Sequence, residues 1–393
     1  MPRVEDFLQG RNQLLFTYGA TCSGKTFTIQ GETENPGILP RALDVIFSTI
    51  NSKLQSTPDA IPNEIIQEAY LRPVGFSGVA VCKPVDMEKI MSEKRAVVQL
   101  GKELCAISNA SFFSSSEISQ DSLSSQASDT SLQSLATMFP MMKNRVRDSN
   151  ILTSVKDAEE NENIQYSVWI SFAEIYNENI YDMLEKVPEV KRKGEKPRRN
   201  PLKLAEDKAG SVYIKGLKEI QVGSSDEAYQ LLMIGRENLQ FAATRLNHHS
   251  SRSHCIFNVK IIKIPNNKIY KEQPHLARIC MLSFCDLAGS ERIKKTLNSG
   301  DRQKESGNIN TSLLVLGRVI KALRHNQSIK ETRRHQMVPY RDSKLTRLFQ
   351  SFFTGRGKAS MVSIFYRNAV LEVRHIRSGP VFFLHKAMTL LCF

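Results

Sequence analysis

The stretch Gly19-Ala-Thr-Cys-Ser-Gly-Lys-Thr26 constrains this chain more than any other segment. It matches G-x-x-x-x-G-K-[ST], a loop whose glycines let backbone N–H groups approach phosphate oxygens. Such a loop works between a buried strand and a helix N-terminus, where the helix adds partial positive charge. Residues 13–18, QLLFTY, are apolar and aromatic enough for that strand, and a helix is predicted to start near Lys25. In this setting Gly19, Thr21, Cys22, Ser23 and Gly24 form the cradle, Lys25 meets the β- and γ-phosphates, and Thr26 ligates Mg²⁺. The pattern implies a bound nucleoside triphosphate and leaves its base and its reaction open.

A phosphate loop needs a sheet behind it, and the rest of the chain supplies candidates. After a break at Pro36-Gly37, residues 38–50 read as an amphipathic helix. Between 51 and 163 the periodicity fails, and Ser makes up 12 of the 29 residues from 107 to 135. That composition buries too little apolar surface to offset ordering, so a largely flexible insertion is expected rather than a second folded domain. Order resumes with a strand at 165–172, followed by EIYNENIYDML as an amphipathic helix or turn. The basic run KRKGEKPRR, 191–199, reads as a loop, and a long helix is predicted from the N-cap candidate Ser225 toward Thr244.

Strands are expected at 255–264 and 277–285, the second apolar enough to be central. A helix at 310–324 would set Leu313, Leu316, Ile320 and Leu323 on one face with Arg318 and Lys321 turned away, and 343–353 reads as one further helix. Strands alternating with helices around this loop imply an α/β fold, a P-loop NTPase with a mixed, partly parallel sheet covered by helices on both faces.

Composition narrows the class. With 41% apolar and 24% charged residues the chain is of the soluble globular kind. Its formal charge of +14 suggests an acidic partner: nucleic acid, anionic lipid or an acidic protein surface. A merely solvated basic surface is the plain alternative. Seven scattered cysteines form no C-x-x-C pair, which fits reduced thiols in a cytosolic or nuclear protein. The N-terminus lacks the apolar core of a secretory signal, and the apolar stretch 379–393 is short and holds His385 and Lys386, so no membrane span is expected.

Two further motifs bear on the site. Asp286-Leu-Ala-Gly289 directly follows the 277–285 strand, where a carboxylate holding the Mg²⁺ shell belongs and where the Gly289 N–H can sense a γ-phosphate. Asn247-His-His-Ser-Ser-Arg-Ser-His254 offers hydroxyls at Ser250 and Ser251 for the γ-phosphate, the metal or the attacking water. Arg252 is a rigid, permanently charged fork that could pair with Glu291. Taken alone, this second segment also reads as a polar loop between a helix and a strand.

Together GATCSGKT, NHHSSRSH and DLAGSE resemble the P-loop, switch I and switch II of the kinesin motor family, as do EIYNENIYDML, NINTSLLVLGRVIKAL and VPYRDSKLTRLFQ. The resemblance runs from about Val4 to Val362, and the large insertion is similar to that of the kinesin-6 class of cytokinetic motors. It implies a Mg²⁺- and ATP-dependent microtubule motor domain. Lys25 and Thr26 would bind phosphate and Mg²⁺, with Ser251 as a further metal ligand and Asp286 acting through water. Phe27 would lie beside the adenine, Asn247, Ser250 and Ser251 would close as switch I, and Arg252 with Glu291 would order the hydrolytic water.

The resemblance also implies the partner. Residues 292–358 hold 16 Lys and Arg against 4 Asp and Glu, a net +12, and in kinesins this surface meets acidic tubulin. Tubulin is therefore favoured over nucleic acid, and Asn267-Lys-Ile-Tyr270 lacks the Asp of an N-K-x-D guanine motif. The expected setting is the cytoplasm and microtubule cytoskeleton, including the spindle, with the nucleus as an alternative.

The chain departs from the family at both ends. Only 18 residues precede Gly19, without an R-x-R-P-like adenine segment, and after Phe365 no Asn-Pro-type turn, long helix or neck linker can be aligned. The fold is expected to be incomplete at both ends, the chain monomeric for want of a coiled coil, and ATP turnover reduced. The organisation is then 1–50 and 164–362 as motor domain, 51–163 as insertion and 363–393 as a divergent tail. The alternative reading is a non-catalytic or dominant-negative microtubule-binding form.

Overall fold

In the computed structural model, residues 2–32, 35–55, 60–62, 79–81, 84–113, 164–188, 199–207, 210–246, 252–265, 277–290, 301–329, 334–365 and 387–392 are described. The chain begins with α1 (Pro2–Leu8), β1 (Asn12–Tyr18), α2 (Lys25–Ile29) and α3 (Ile38–Ile50). There follow β2 (Ala60–Pro62), β3 (Val79–Val81), α4 (Pro84–Phe113), β4 (Ile164–Tyr176), β5 (Asn179–Asp182), β6 (Lys203–Glu206), β7 (Val212–Lys215) and β8 (Ile220–Val222). The remaining elements are α5 (Ser225–Leu246), β9 (His254–Pro265), β10 (Arg278–Asp286), α6 (Asp301–Ser328), α7 (Lys344–Leu348), α8 (Gln350–Phe353), β11 (Gly357–Phe365) and β12 (Ala387–Cys392).

The main sheet runs β12-β11-β1-β10-β9-β4-β5, with β8 also on β4. β1 lies parallel to both β10 and β11, whereas β9 is antiparallel to β10 and to β4. The sheet is thus mixed, with a parallel centre in which β10 reads as a nearly continuous apolar run because both of its faces are covered.

Strand alternation divides the core in two. On one face Leu282 and Phe284 of β10 and Val168, Ile170 and Phe172 of β4 meet α1, α3, α4 and α5. On the other, Leu14 and Phe16 of β1 and Cys285 of β10 meet α6, α7 and α8. α3 follows its predicted bounds because Leu39, Leu43, Ile46 and Ile50 form one fully buried stripe. Burying each such side chain contributes about 1.5–3 kcal/mol, enough to outweigh ordinary differences in helix propensity.

Several expectations are corrected. Residues 84–113, inside the segment expected to be flexible, form a helix that buries Val97, Val98, Leu100 and Leu104 in the first core. Its apolar residues are spread around the helix rather than set along one face, so no 3.6-residue period stands out in the sequence. Lys94 also pairs with Glu227 of α5 at 3.3 Å. The Ser-rich remainder, 114–163, lies outside the described residues. Of the two readings of EIYNENIYDML, helix or turn, the turn holds: Asn177 and Glu178, at φ 51 and 55, close the β4–β5 hairpin. Two consecutive left-handed residues match the twist of the flanking strands, which is why this turn closes a hairpin.

The cap of α5 is Ser224 rather than Ser225: its Oγ accepts from the Glu227 N–H at 3.1 Å, while the Glu227 carboxylate accepts from the Gly223 N–H at 2.8 Å. α6 starts nine residues earlier than predicted, at Asp301. The single helix predicted over 343–353 is split into α7 and α8 at Phe349. In the tail, β12 pairs antiparallel along β11 from Ser360↔Cys392 to Phe365↔Ala387. Among the described residues no helix is long and apolar enough to cross a membrane.

Candidate nucleotide site

Topology brings the three motifs to one end of the sheet. β1 and β10 are parallel neighbours, so the loop after Tyr18 and the segment after Asp286 leave at the same end. β9 is antiparallel to β10, and its first residue, His254, therefore starts where β10 finishes. Loops at the carboxyl ends of parallel strands are where an open α/β sheet binds its ligand.

The phosphate loop carries backbone that few other segments tolerate. Gly24 precedes α2 with φ 96, a left-handed geometry that glycine adopts without penalty. Cys22, exposed, sits at φ 60, where an L-residue is strained by about 1 kcal/mol or more. At Gly19 a Cβ would lie 2.5 Å from the Ile364 carbonyl oxygen and 2.8 Å from Ser23 Oγ, so β11 backs the loop too closely for any side chain. The Ser23 hydroxyl is buried without a hydrogen-bond partner. Lys25, 7% exposed, folds over the loop and donates from Nζ to the carbonyls of Gly19 at 3.0 Å and Ala20 at 2.7 Å. Phe27 is 44% exposed on α2.

Asp286 is held from both sides. Thr17 Oγ1 donates to Oδ1 at 3.1 Å and Thr26 Oγ1 to Oδ2 at 2.5 Å. Burial pushes the Asp286 pKa up, against the two hydroxyl hydrogen bonds and the nearby Lys25 charge. Thr17 went unassigned in the sequence. It is buried near the end of β1 and stands opposite Asp286 in the ladder, which only the strand pairing makes visible.

The DLAG segment is tied to its surroundings by backbone. Ser290 N donates to the Gly19 carbonyl at 3.0 Å, joining this segment directly to the phosphate loop. Ala288 N donates to His254 Nδ1 at 3.0 Å, and His254 Nε2 lies 2.8 Å from Ser312 Oγ of α6. Burial lowers the His254 pKa to about 4. His254 stands inside the NHHSSRSH motif, yet nothing in the sequence assigns it a role; Ser312 looks there like one more helix residue. Gly289 is buried beside Ala288, and Arg252 lies just before β9. Asn247, Ser250, Ser251 and Glu291 fall outside the described residues, so the pairing of Arg252 with Glu291 does too.

These groups fit a triphosphate with Mg²⁺. Thr26 and Asp286 present hard oxygen donors side by side, the type Mg²⁺ prefers, and the loop offers a buried ammonium, an unpartnered hydroxyl and a backbone without side-chain cover at Gly19.

Comparison with known proteins agrees. The sequence model described as kinesin motor domain matches residues 1–369. The chain is 42% identical over 372 residues to "Kinesin-like protein KIF20A" of Homo sapiens, covering 91% of this chain and 38% of that protein. It is 41% identical over 367 residues to "Kinesin-like protein KIF20B" of Homo sapiens, covering 92% and 18%. The chain thus spans well under half the length of these relatives. A solved structure named "kinesin 6" superposes with a TM-score of 0.62 at 27% identity, covering 92% of this chain and 78% of its own. Fold, motif order and relatives converge: the chain belongs to the kinesin motor-domain family, alongside the kinesin-6 class.

Proposed function

We propose that this chain hydrolyses ATP and binds microtubules as the motor domain of a kinesin acting on spindle or other cytoskeletal microtubules. The observation that carries the reading is the hydrogen-bonded unit of Thr17, Asp286 and Thr26 at the end of two parallel strands, with the DLAG backbone fastened to the phosphate loop through Ser290.

Lys25 would exchange the Gly19 and Ala20 carbonyls for phosphate oxygens, an exchange of one acceptor set for a more negative one. Thr26, Ser251 and, through water, Asp286 would hold Mg²⁺, which neutralises charge on the β- and γ-phosphate oxygens when bound. Gly19, Thr21, Cys22, Ser23 and Gly24 form the cradle, and Phe27 is exposed where it can cover the adenine. Asn247, Ser250 and Ser251 close over the γ-phosphate, Gly289 senses it, and Arg252 with Glu291 orders water. Positioning and charge then do the work, with no strong base required.

The track surface is the basic region 292–358. On α6, Arg318, Lys321 and Arg324 are exposed opposite the buried Leu313, Leu316 and Val319, and Arg334 and Arg341 are exposed in the loop beyond. Leu314 at 63% and Met337 at 94% exposure add apolar contacts among these charges.

Phosphate release by this chain, with and without microtubules, tests the reading. Microtubules should raise the rate, and Lys25→Ala should lower it by about 10²–10³-fold, as loss of a charge-stabilising donor does elsewhere. A Lys25→Ala protein with the wild-type rate would refute the site assignment. Competition by duplex DNA as effective as that by tubulin would refute the partner.

A further inference from the structure

We infer that His254 is a positioning residue that links the γ-phosphate-sensing segment to the track-facing helix, through Ala288 N–H···Nδ1 and Nε2–H···Ser312 Oγ. The inference rests on the function proposed above, which gives the two ends of the link their roles.

The directions of both bonds are fixed by chemistry. Ala288 N is a donor, so Nδ1 must be unprotonated and accept from it. In a neutral ring the proton is then on Nε2, which donates to the Ser312 hydroxyl 2.8 Å away. All three residues are buried: His254 and Ser312 are each 2% exposed and Ala288 is 1% exposed. Water has little access to replace either bond.

The ring is rigid between its two nitrogens. A flexible side chain could let Ala288 and Ser312 drift apart; imidazole cannot. Ala288 precedes Gly289, and Ser290 is fastened to Gly19, so the segment has one backbone bond to the phosphate loop and one to His254. Any displacement that brings the Gly289 N–H toward a γ-phosphate must carry the ring with it or break the Ala288 bond. If the ring moves, Ser312 is drawn along or released. Its helix presents Arg318 and Lys321 on the opposite, exposed side. As long as both bonds hold, movement at the nucleotide and movement at the track surface are coupled.

Two variants separate this link from simple packing. Ser312→Ala removes the far partner and keeps the Ala288 bond. His254→Asn places an amide oxygen near the Nδ1 position but cannot reach Ser312. Each should reduce microtubule stimulation of phosphate release about tenfold, and Ser312→Ala should leave the basal rate within about twofold. The double variant should be no worse than the poorer single, because both cut the same chain of bonds.

Unchanged stimulation in both folded singles would overturn the inference, as would equal loss of basal and stimulated rates in Ser312→Ala, or additive losses in the double. A second measurement does not depend on activity. In the nucleotide-free protein with ¹⁵N-labelled histidine, His254 should be the neutral Nε2–H tautomer, and Ser312→Ala should speed hydrogen exchange at the Ala288 amide. The other tautomer, or unchanged exchange, overturns the link even where activity is normal. If the wild-type chain is not stimulated by microtubules, the proposed function fails, and these two readings still decide whether the link exists.

Discussion

The two faces of the sheet are built differently. Among the described residues, the core against α1, α3, α4 and α5 has 36 buried apolar side chains, while that against α6, α7 and α8 has 15. Specific polar contacts join the smaller side too: Ser312 with His254, Arg318 with Asp342 at 3.0 Å, and the Lys344 N–H with the Glu178 carboxylate at 2.9 Å. Dispersion and apolar burial are non-directional and tolerate no large shift once packed, whereas a few directional bonds can be exchanged for others. Among the described residues the larger core is therefore expected to resist displacement more than the smaller one.

Mutations can break this contrast. Leu43→Ala, in the centre of the larger core, should cost toward the top of the usual range of about 2–5 kcal/mol, and Leu316→Ala on the smaller side toward the bottom. Equal costs in denaturant unfolding would remove the distinction.

Acid should act selectively on the smaller side. His254 has its pKa lowered from 6.5 to about 4, so the unfolded chain binds a proton that the folded one refuses. Its contribution is complete above pH 6.5 and is lost as pH falls through 4, by roughly 3 kcal/mol in all. Thermal unfolding of wild type and His254→Asn should therefore converge as the pH drops through this window, with amides of α6 exchanging first.

Gly235 sharpens the comparison from the other side. A Cβ there would lie 2.2 Å from Phe172 Cδ1, so Gly235→Ala should overpack the larger core at a cost of about 1–3 kcal/mol. The smallest effect belongs to the cap of α5. Ser224→Ala removes the acceptor for the Glu227 N–H and should cost about 1 kcal/mol, read as a shift in the urea midpoint.

What the sequence made legible follows the same division. α3 and the strands of the sheet could be read because burial stamps a period on them, and the phosphate loop because its chemistry demands fixed spacing. α4 does not show as a helix in the sequence because its apolar residues are spread around the helix instead of repeating along one face. The hairpin at Asn177-Glu178 is ambiguous between helix and turn in the sequence because its apolar residues suit either period, and two left-handed residues decide it. Thr17, His254 and Ser312 were silent for a different reason. Each matters through a partner 269, 34 or 58 residues away, and such pairings exist only after the sheet and α6 have assembled.

The placement of β1 has a mechanical consequence. It is laddered to β11 over Asn12–Tyr18 and to β10 from Gln13 to Thr17, both times in parallel. Tension along the strands loads every rung of both ladders together, as a lap joint does, while tension across them would open the rungs singly. The strand carrying the phosphate loop is thus anchored in shear on both sides, so a pull on that loop is shared across two ladders at once rather than taken by one rung after another.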